Sequence, residues 1–350
     1  MIRIDGNYLE GGGQIVRTAL ALSALTNQPF EMGDIRKGRR EPGIKHQHLF
    51  CIRDSKQLCN AKVDGGHIGS DFLKFIPGKK KKKNLDIDIG TAGSITLLLQ
   101  SLLLPCFFAD KKIKIRIKGG TDTRWSMPFD YFQNILVPRI ENFADIEVKL
   151  IRRGYYPKGQ GEVEIRITPS YQLNSFKGFY GLLGYLRKEN KQMVLAKIKK
   201  PTSIQGVSHA SRMLEKAEVA ERQAKSARIN LSSLGIPLRI TSEYNNAACP
   251  GSGIALWTNT RIGAGSLGEK GKKAELVGKE AAEILEKELN GAVDSHLADN
   301  LIPWLALFGG KITATEITPH TLTNIYAAEK FLGKTFKVEK YKGIVETINI

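Results

Sequence analysis

His320 lies in the segment Ile317 to Gly333, ITPHTLTNIYAAEKFLG, which reads as a helix with the histidine in its first turn. Thr318 is an N-cap type, Pro319 suits the first helical position and Gly333 the stop, and Ile325, Phe331 and Leu332 predict a buried stripe. There the helix dipole opposes a positive imidazolium, and unpaired backbone N–H groups face any approaching anion. An uncharged imidazole at an anion-binding helix end is a nucleophile suited to phosphorus. A histidine merely hydrogen-bonded at a cap has the same local sequence, so other segments must supply the phosphate and its partners.

Four further segments offer such partners. In Glu10-Gly11-Gly12-Gly13-Gln14, glycines before a helix let backbone N–H groups approach a phosphate. This turn carries neither the GK[ST] of a P-loop nor the GxGxxG fingerprint. Glu10 at the mouth of this turn is a candidate metal ligand, and Gln14 and Arg17 share a helix face. From Arg36 to His48 the chain carries five cations and two histidines in thirteen residues, kept extended by Gly and Pro, which predicts a phosphate-binding strip. After Asp294 a helical wheel puts Leu297, Leu301, Trp304, Leu305 and Phe308 on one side and His296, Asp299, Asn300 and Pro303 on the other. Pro303 cannot donate to the Asp299 carbonyl, so a free acceptor is expected among polar side chains, a combination suited to a nucleoside. In the run Gly119 to Asp130, Trp125 beside Arg124 could stack on a base, although a tryptophan at a helix start more often joins the core.

The elements that must position these groups alternate. Gly-rich turns precede helices at Gln14 to Leu25, after Gly43 through Leu58, at Ile95 to Phe108 and at about Pro128 to Phe143. Strands are expected at Lys62 to Asp64, Phe72 to Ile76, Leu85 to Ile89, Ile113 to Ile117, Ile146 to Ile151 and Glu162 to Ile167. The pattern loosens around Tyr171 to Gly184. Next come a strand at Met193 to Ile198, a charged helix from Ser208 to about Leu234, strands near Leu238 to Ser242 and Ile254 to Thr258, and a helix from Lys272 to Leu289. From Asp294 a helix, a strand, a helix and two strands resume the earlier grammar. The expectation is an α/β (α+β) protein: a main domain of tandem βαβαββ-like units, 1–182 and 290–350, carrying a smaller α/β domain inserted at 183–289.

With 350 residues, 41% hydrophobic and 25% charged, the chain has the composition of a globular protein of about two domains. No membrane span or signal peptide is visible, and a cytoplasmic location is expected. Cys51, Cys59, Cys106 and Cys249 form no CxxC pair or zinc spacing, so buried thiols are expected. The formal net charge of +18 favours a polyanion, nucleic acid first. The run Lys79 to Lys83 reads as a solvated hairpin tip.

Taken in order, IDGNYLEGGGQIVR, RKGRREPGIKHQHL, GTAGSITLLLQ, GGTDTRWSMPFDYF, RRGYYPKGQGEV, HLADNLIPWLAL and HTLTNI resemble the motif series of the RNA 3′-terminal phosphate cyclases, from about Ile4 to the C-terminus. The resemblance implies an ATP-dependent enzyme of the ligase class: AMP is transferred to a histidine, then to an RNA 3′-phosphate, and the neighbouring 2′-OH closes a 2′,3′-cyclic phosphate. It implies His320 as the adenylylated residue. Gln100, Pro128 and the run His296, Leu297, Ala298, Asp299, Asn300 would contact the nucleotide. Arg17, Arg39, Arg40 and Gln47 would bind the RNA phosphate and Glu10 a Mg²⁺ or Mn²⁺ ion, assignments that rest partly on the residue chemistry above. The family commonly carries Tyr at His296 and Gln at Asn300, departures that touch adenine recognition rather than the reaction. A cyclase-like RNA-binding factor in ribosome assembly is the alternative, but that branch lacks the nucleophile. An enolpyruvyl-type transferase on similar repeats has only the architecture in its favour. Whether the chain is a monomer or a homodimer stays open.

Overall fold

A computed structural model of the chain describes residues 1–78, 84–189, 192–333 and 335–348. The first run of elements is β1 (Ile2–Asp5), α1 (Gln14–Thr26), β2 (Phe30–Gly33), α2 (His46–Cys59), β3 (Lys62–Asp64) and β4 (Leu73–Ile76). Its sheet has the order β1-β2-β4-β3, with β1 and β2 parallel and the other pairs antiparallel. The next run is β5 (Asn84–Asp88), α3 (Ile95–Phe107), β6 (Ile113–Gly119), a broken helix, β7 (Ala144–Arg152) and β8 (Gly161–Pro169), with the corresponding order β5-β6-β8-β7. The broken helix consists of α4 (Phe129–Tyr131), a π-helical turn at Phe132–Leu136 and α5 (Val137–Ile140). Its irregularity has a local cause, since Pro138 cannot donate a backbone hydrogen bond to the preceding turn.

After α6 (Gly178–Lys188) and β9 (Met193–Leu195), the chain enters a different sheet. It is built from β10 (Ile204–Ser211), β11 (Leu238–Asn245), β12 (Ser252–Thr258) and β13 (Gly263–Leu267) in the order β11-β10-β12-β13. Helices α7 (Val219–Leu231) and α8 (Ala274–Glu288) pack on it around a separate core that includes Ile204, Leu231, Ile254, Leu256 and Leu285. The last run is α9 (Ser295–Phe308), β14 (Gly310–Thr313), α10 (Pro319–Leu332), β15 (Phe336–Glu339) and β16 (Ile344–Thr347). Its sheet, β15-β16-β14-β9, recruits β9 parallel to β14. The architecture is thus mixed α/β with βαβ-like sheets recurring along the chain.

Helices α1, α3, α9 and α10 pack together inside the larger core, and every residue of α1 is buried. The sheets lie outside them. On β6 buried and exposed residues alternate strictly, the pattern of a strand with one face on a core and one in water. All four cysteines are buried. Among the described residues no helix is long and apolar enough to cross a membrane.

Several expectations change. The boundary expected at 182/183 falls inside α6, whose Phe179, Leu182, Leu183 and Leu186 all join the larger core. The strand expected to open the inserted unit, β9, pairs with β14 instead, and the separate core begins only at Ile204. A three-residue strand carries no sequence sign of a partner more than a hundred positions away. Ser208 to Ser211 form the end of β10 rather than the start of a helix, and α7 begins only at Val219. Lys79 to Lys83 lie outside the described residues, but the flanking strands β4 and β5 belong to different sheets and form no hairpin.

Candidate active site

The triglycine turn between β1 and α1 is fastened to α10 by two contacts. Tyr8 stacks on Tyr326 with centroids 4.0 Å apart, and the Tyr326 hydroxyl accepts from the Asp5 backbone N–H at 3.1 Å. At the start of α10 the Thr318 hydroxyl caps the helix by accepting from Thr321 N at 3.0 Å, with Pro319 at the first position and Gly333 ending the helix at φ +82°. His320 therefore faces the turn. Its Nδ1 lies 3.5 Å from Glu10 Oε2, and Arg39 Nη2 donates to the same oxygen at 3.2 Å. A Cβ added at Gly12 would stand 3.7 Å from both His320 Cε1 and Arg39 Nη2, so the backbone of the turn, His320, Glu10 and Arg39 form one half-exposed cluster.

Gly13 is required by contact rather than by dihedral angle: a Cβ there would fall 1.9 Å from His48 Nε2. His48 Nδ1 accepts from Lys45 N at 3.1 Å, so the neutral ring carries its proton on Nε2, toward the turn. Burial, reinforced by Arg17, Arg36 and Lys45, pushes this histidine down to about 3. A neutral donor among cations is the result.

Arg17, one turn into α1, is buried and lowered from its ordinary value by desolvation. Its Nε donates to Gln100 Oε1 at 2.6 Å, and Gln100 Nε2 donates to Asn300 Oδ1 at 2.9 Å. Asn300 Nδ2 in turn donates to the His296 carbonyl at 2.7 Å. This relay joins α1, α3 and α9 with amides alone. Among the described residues no carboxylate lies within ion-pair distance of Arg17, which leaves a desolvated cation whose counter-charge an incoming anion can supply. Beside the relay is a crevice of about 40 Å³ lined by Gln14, Thr18, Thr96, Gln100 and Asn300, room for water rather than for a base.

The acceptor freed by Pro303 is taken. Asn324 Nδ2 donates to the Asp299 carbonyl at 2.6 Å, and Asn324 Oδ1 accepts from Thr18 at 2.6 Å. The Asp299 carboxylate accepts from Thr318 and Thr321, both at 2.6 Å, while burial pushes its pKa up. Asp299 and its carbonyl thus tie α9 to the N-terminal end of α10 and hold His320 in place instead of offering a free nucleoside contact. The sequence contained the signal, Thr318, Thr321 and Asn324 at three-residue spacing on α10, but the partner helix was not visible in it.

The remaining expected residues divide. Leu297 and Ala298 are wholly buried in the larger core and present no surface to a ligand. His296 is exposed and stands edge-on to Tyr131, with centroids 6.4 Å apart. Pro128, half-buried at the start of α4, adjoins Met127, whose carbonyl accepts from Thr96 at 2.9 Å. Gln47 is committed to the start of α3: its amide accepts from Ser94 N at 2.8 Å and donates to Ser94 O at 3.2 Å. Arg40, next in sequence to Arg39, is exposed. Trp125, expected more often in a core, is 92% exposed.

A second cluster lies at the seam between the main core and the β10–β13 sheet. Arg153 donates bidentately to Asp130, at 2.7 and 3.0 Å, and lies 3.4 Å from Asp122, while Tyr155 Oη and His209 Nδ1 are 2.8 Å apart. Asp122, Asp130 and His209 could by spacing hold a metal, but the Arg153 guanidinium already supplies positive charge to both carboxylates. We read it as an ion-paired seam.

A family model described as RNA 3′-terminal phosphate cyclase matches residues 8–338. Proteins of that name from Pyrococcus abyssi and Archaeoglobus fulgidus are 44% and 41% identical to the chain, covering 97% and 99% of it and 95% and 100% of their own lengths. The protein of that name from Methanopyrus kandleri is 39% identical over 100% of the chain and 98% of its own length.

Proposed function

The chain belongs to the RNA 3′-terminal phosphate cyclase family, and on that premise we propose that it uses ATP to convert an RNA 3′-terminal phosphate to a 2′,3′-cyclic phosphate through a histidine–AMP intermediate. One observation carries the reading: His320 at the N-terminus of α10, Nδ1 toward Glu10, beside the backbone of the triglycine turn. With a proton on Nδ1 directed at the carboxylate, the lone pair on Nε2, across the ring, is the nucleophile. Nε2 attacks the α-phosphorus of ATP, a P–N bond forms and pyrophosphate leaves. An oxygen of the RNA 3′-phosphate then attacks the adenylate phosphorus and frees the histidine. Finally the 2′-oxygen, losing its proton, attacks the 3′-phosphorus, and AMP leaves.

Each chain residue has a task in this scheme. Arg17 and Arg39 bind phosphate oxygens, and the N–H groups of the turn and of α10 face the anionic phosphorus. His48, neutral and carrying its proton on Nε2, adds a donor at Gly13 without adding a charge. Arg40 binds the RNA at the rim, and Gln47 fixes the start of α3. His296 and Pro128 flank the adenine, while Gln100 and Asn300, whose amides are paired in the relay, hold Arg17 and the wall beside it. Glu10 fits a Mg²⁺ or Mn²⁺ ion as one carboxylate, a donor set completed only by substrate phosphates, and the ion would offset their charge. We also read the main domain as recurring βαβαββ units, with the β10–β13 unit inserted between β9 and α9.

Incubation with α-labelled ATP and the metal tests the scheme. The expected result is an acid-labile protein–AMP bond that His320→Ala abolishes. Labelling that survives this substitution overturns the mechanism, and a wild-type protein that binds RNA ends but never labels is a binding factor instead.

A further inference from the structure

Of the three tryptophans, Trp257 and Trp304 are buried at 7% and 4% exposure, while Trp125 is 92% exposed. Its backbone is left-handed at φ +60°, a region that bulky side chains rarely occupy. The strain is not the accident of a loose loop. Thr123 Oγ1 and Ser126 Oγ are 3.0 Å apart, Ser126 Oγ donates to Thr123 O at 2.8 Å, and Arg124 pairs with Glu269 of the inserted unit. The segment is held on both sides of the tryptophan, and what it holds is an indole directed into water.

Its anchorage connects it to the candidate active site. Gly120 bridges to Ser94, and Thr96 donates to Met127 O, so both ends of the 120–127 segment hang on the start of α3. That same helix start is gripped by Gln47, the last expected phosphate-binding residue of the basic strip, and the helix carries Gln100 to Arg17. The neighbouring loop is fastened to the segment where Thr121 N and Asp122 N donate to Gly154 O at 2.9 and 3.3 Å. Two residues farther on it exposes Tyr156 at 77%, followed by exposed Lys158. An exposed indole, an exposed phenol and a lysine on adjoining loops, in a chain of net charge +18, are the parts of a single-strand platform.

We propose that Trp125 is a base-stacking residue that binds a nucleobase near the 3′ end of the RNA substrate. Every base has a π-face, so stacking adds affinity without reading sequence. The inference rests on the cyclase reading for its substrate.

The test separates the two. Histidine adenylylation requires no RNA, so Trp125→Ala should label with ATP as the wild type does. Its KM for a 3′-phosphate oligoribonucleotide should rise by roughly 5- to 100-fold, and Trp125→Phe should restore most of the loss. The oligonucleotide should quench wild-type tryptophan emission but not that of Trp125→Phe. Abasic sites placed one at a time at the last three nucleotides should identify one position where base loss weakens the wild type and leaves Trp125→Ala unchanged. An unaltered KM in Trp125→Ala, a rise in the KM for ATP instead, or equal sensitivity of both proteins to every abasic site overturns the proposal. Absence of labelling in the wild type would count against the cyclase reading alone, since quenching and its loss in Trp125→Phe still decide the stacking.

Discussion

The chemistry of the candidate site depends on where single charges are withheld. His48 is buried against Gly13 with Arg17, Arg36 and Lys45 around it, and burial together with these cations pushes it down to about 3. An unfolded histidine titrates near 6.5, so between these values the unfolded chain binds the extra proton and stability rises with pH. His48 therefore contributes stability that is complete above about 6.5 and is lost as the pH falls toward 3. In urea titrations the wild type should lose on the order of 2–3 kcal/mol more than His48→Gln between pH 6.5 and 4.5. Parallel pH curves for the two proteins would contradict the buried neutral ring. The glycine at position 13 expresses the same constraint from the other side, because any side chain there displaces His48.

Between elements, the decisive tie is the one that replaces the backbone bond Pro303 cannot make. Asn324 bonds the Asp299 carbonyl and the Thr18 hydroxyl, joining α1, α9 and α10, while Asp299 accepts from Thr318 and Thr321. Asn324→Leu keeps the volume and leaves two buried polar groups without partners, each costing roughly 1–3 kcal/mol. Denaturant unfolding should show a loss of about 2–6 kcal/mol, with His320 labelling reduced because only the Thr318 and Thr321 bonds to Asp299 still hold the start of α10. A loss under about 0.5 kcal/mol would mean that the helices are held by apolar packing alone.

For the whole molecule, the excess of cations sets how RNA binding responds to salt. Phosphates neutralised by Lys or Arg release counterions, and for single strands each contact adds about 0.7 to the slope of log affinity against log salt. If Arg17, Arg39 and Arg40 all contact phosphates, the slope should be near −2, and Arg40→Gln should reduce its magnitude by about 0.7. A slope near zero, or one unmoved by Arg40→Gln, would place RNA binding elsewhere on the surface.

Local chemistry made much of this protein legible in its sequence. Thr318, Pro319 and Gly333 bounded α10, the apolar runs marked α1, α3 and α9, and the ordered motifs identified the family, because capping, periodicity and composition act over a few residues. Strand partners were not legible. β9 is three residues long and its mate lies beyond the inserted unit, so only the assembled sheet moved the boundary from 183 to past Leu195. Which polar groups face a ligand was likewise decided in three dimensions. Asp299 and Gln47 proved to be committed to neighbouring helices and Leu297 and Ala298 to the core, while Trp125 was left outside. A residue's type sets what it can bond, but only the packing of distant segments determines which of those bonds the protein has already made.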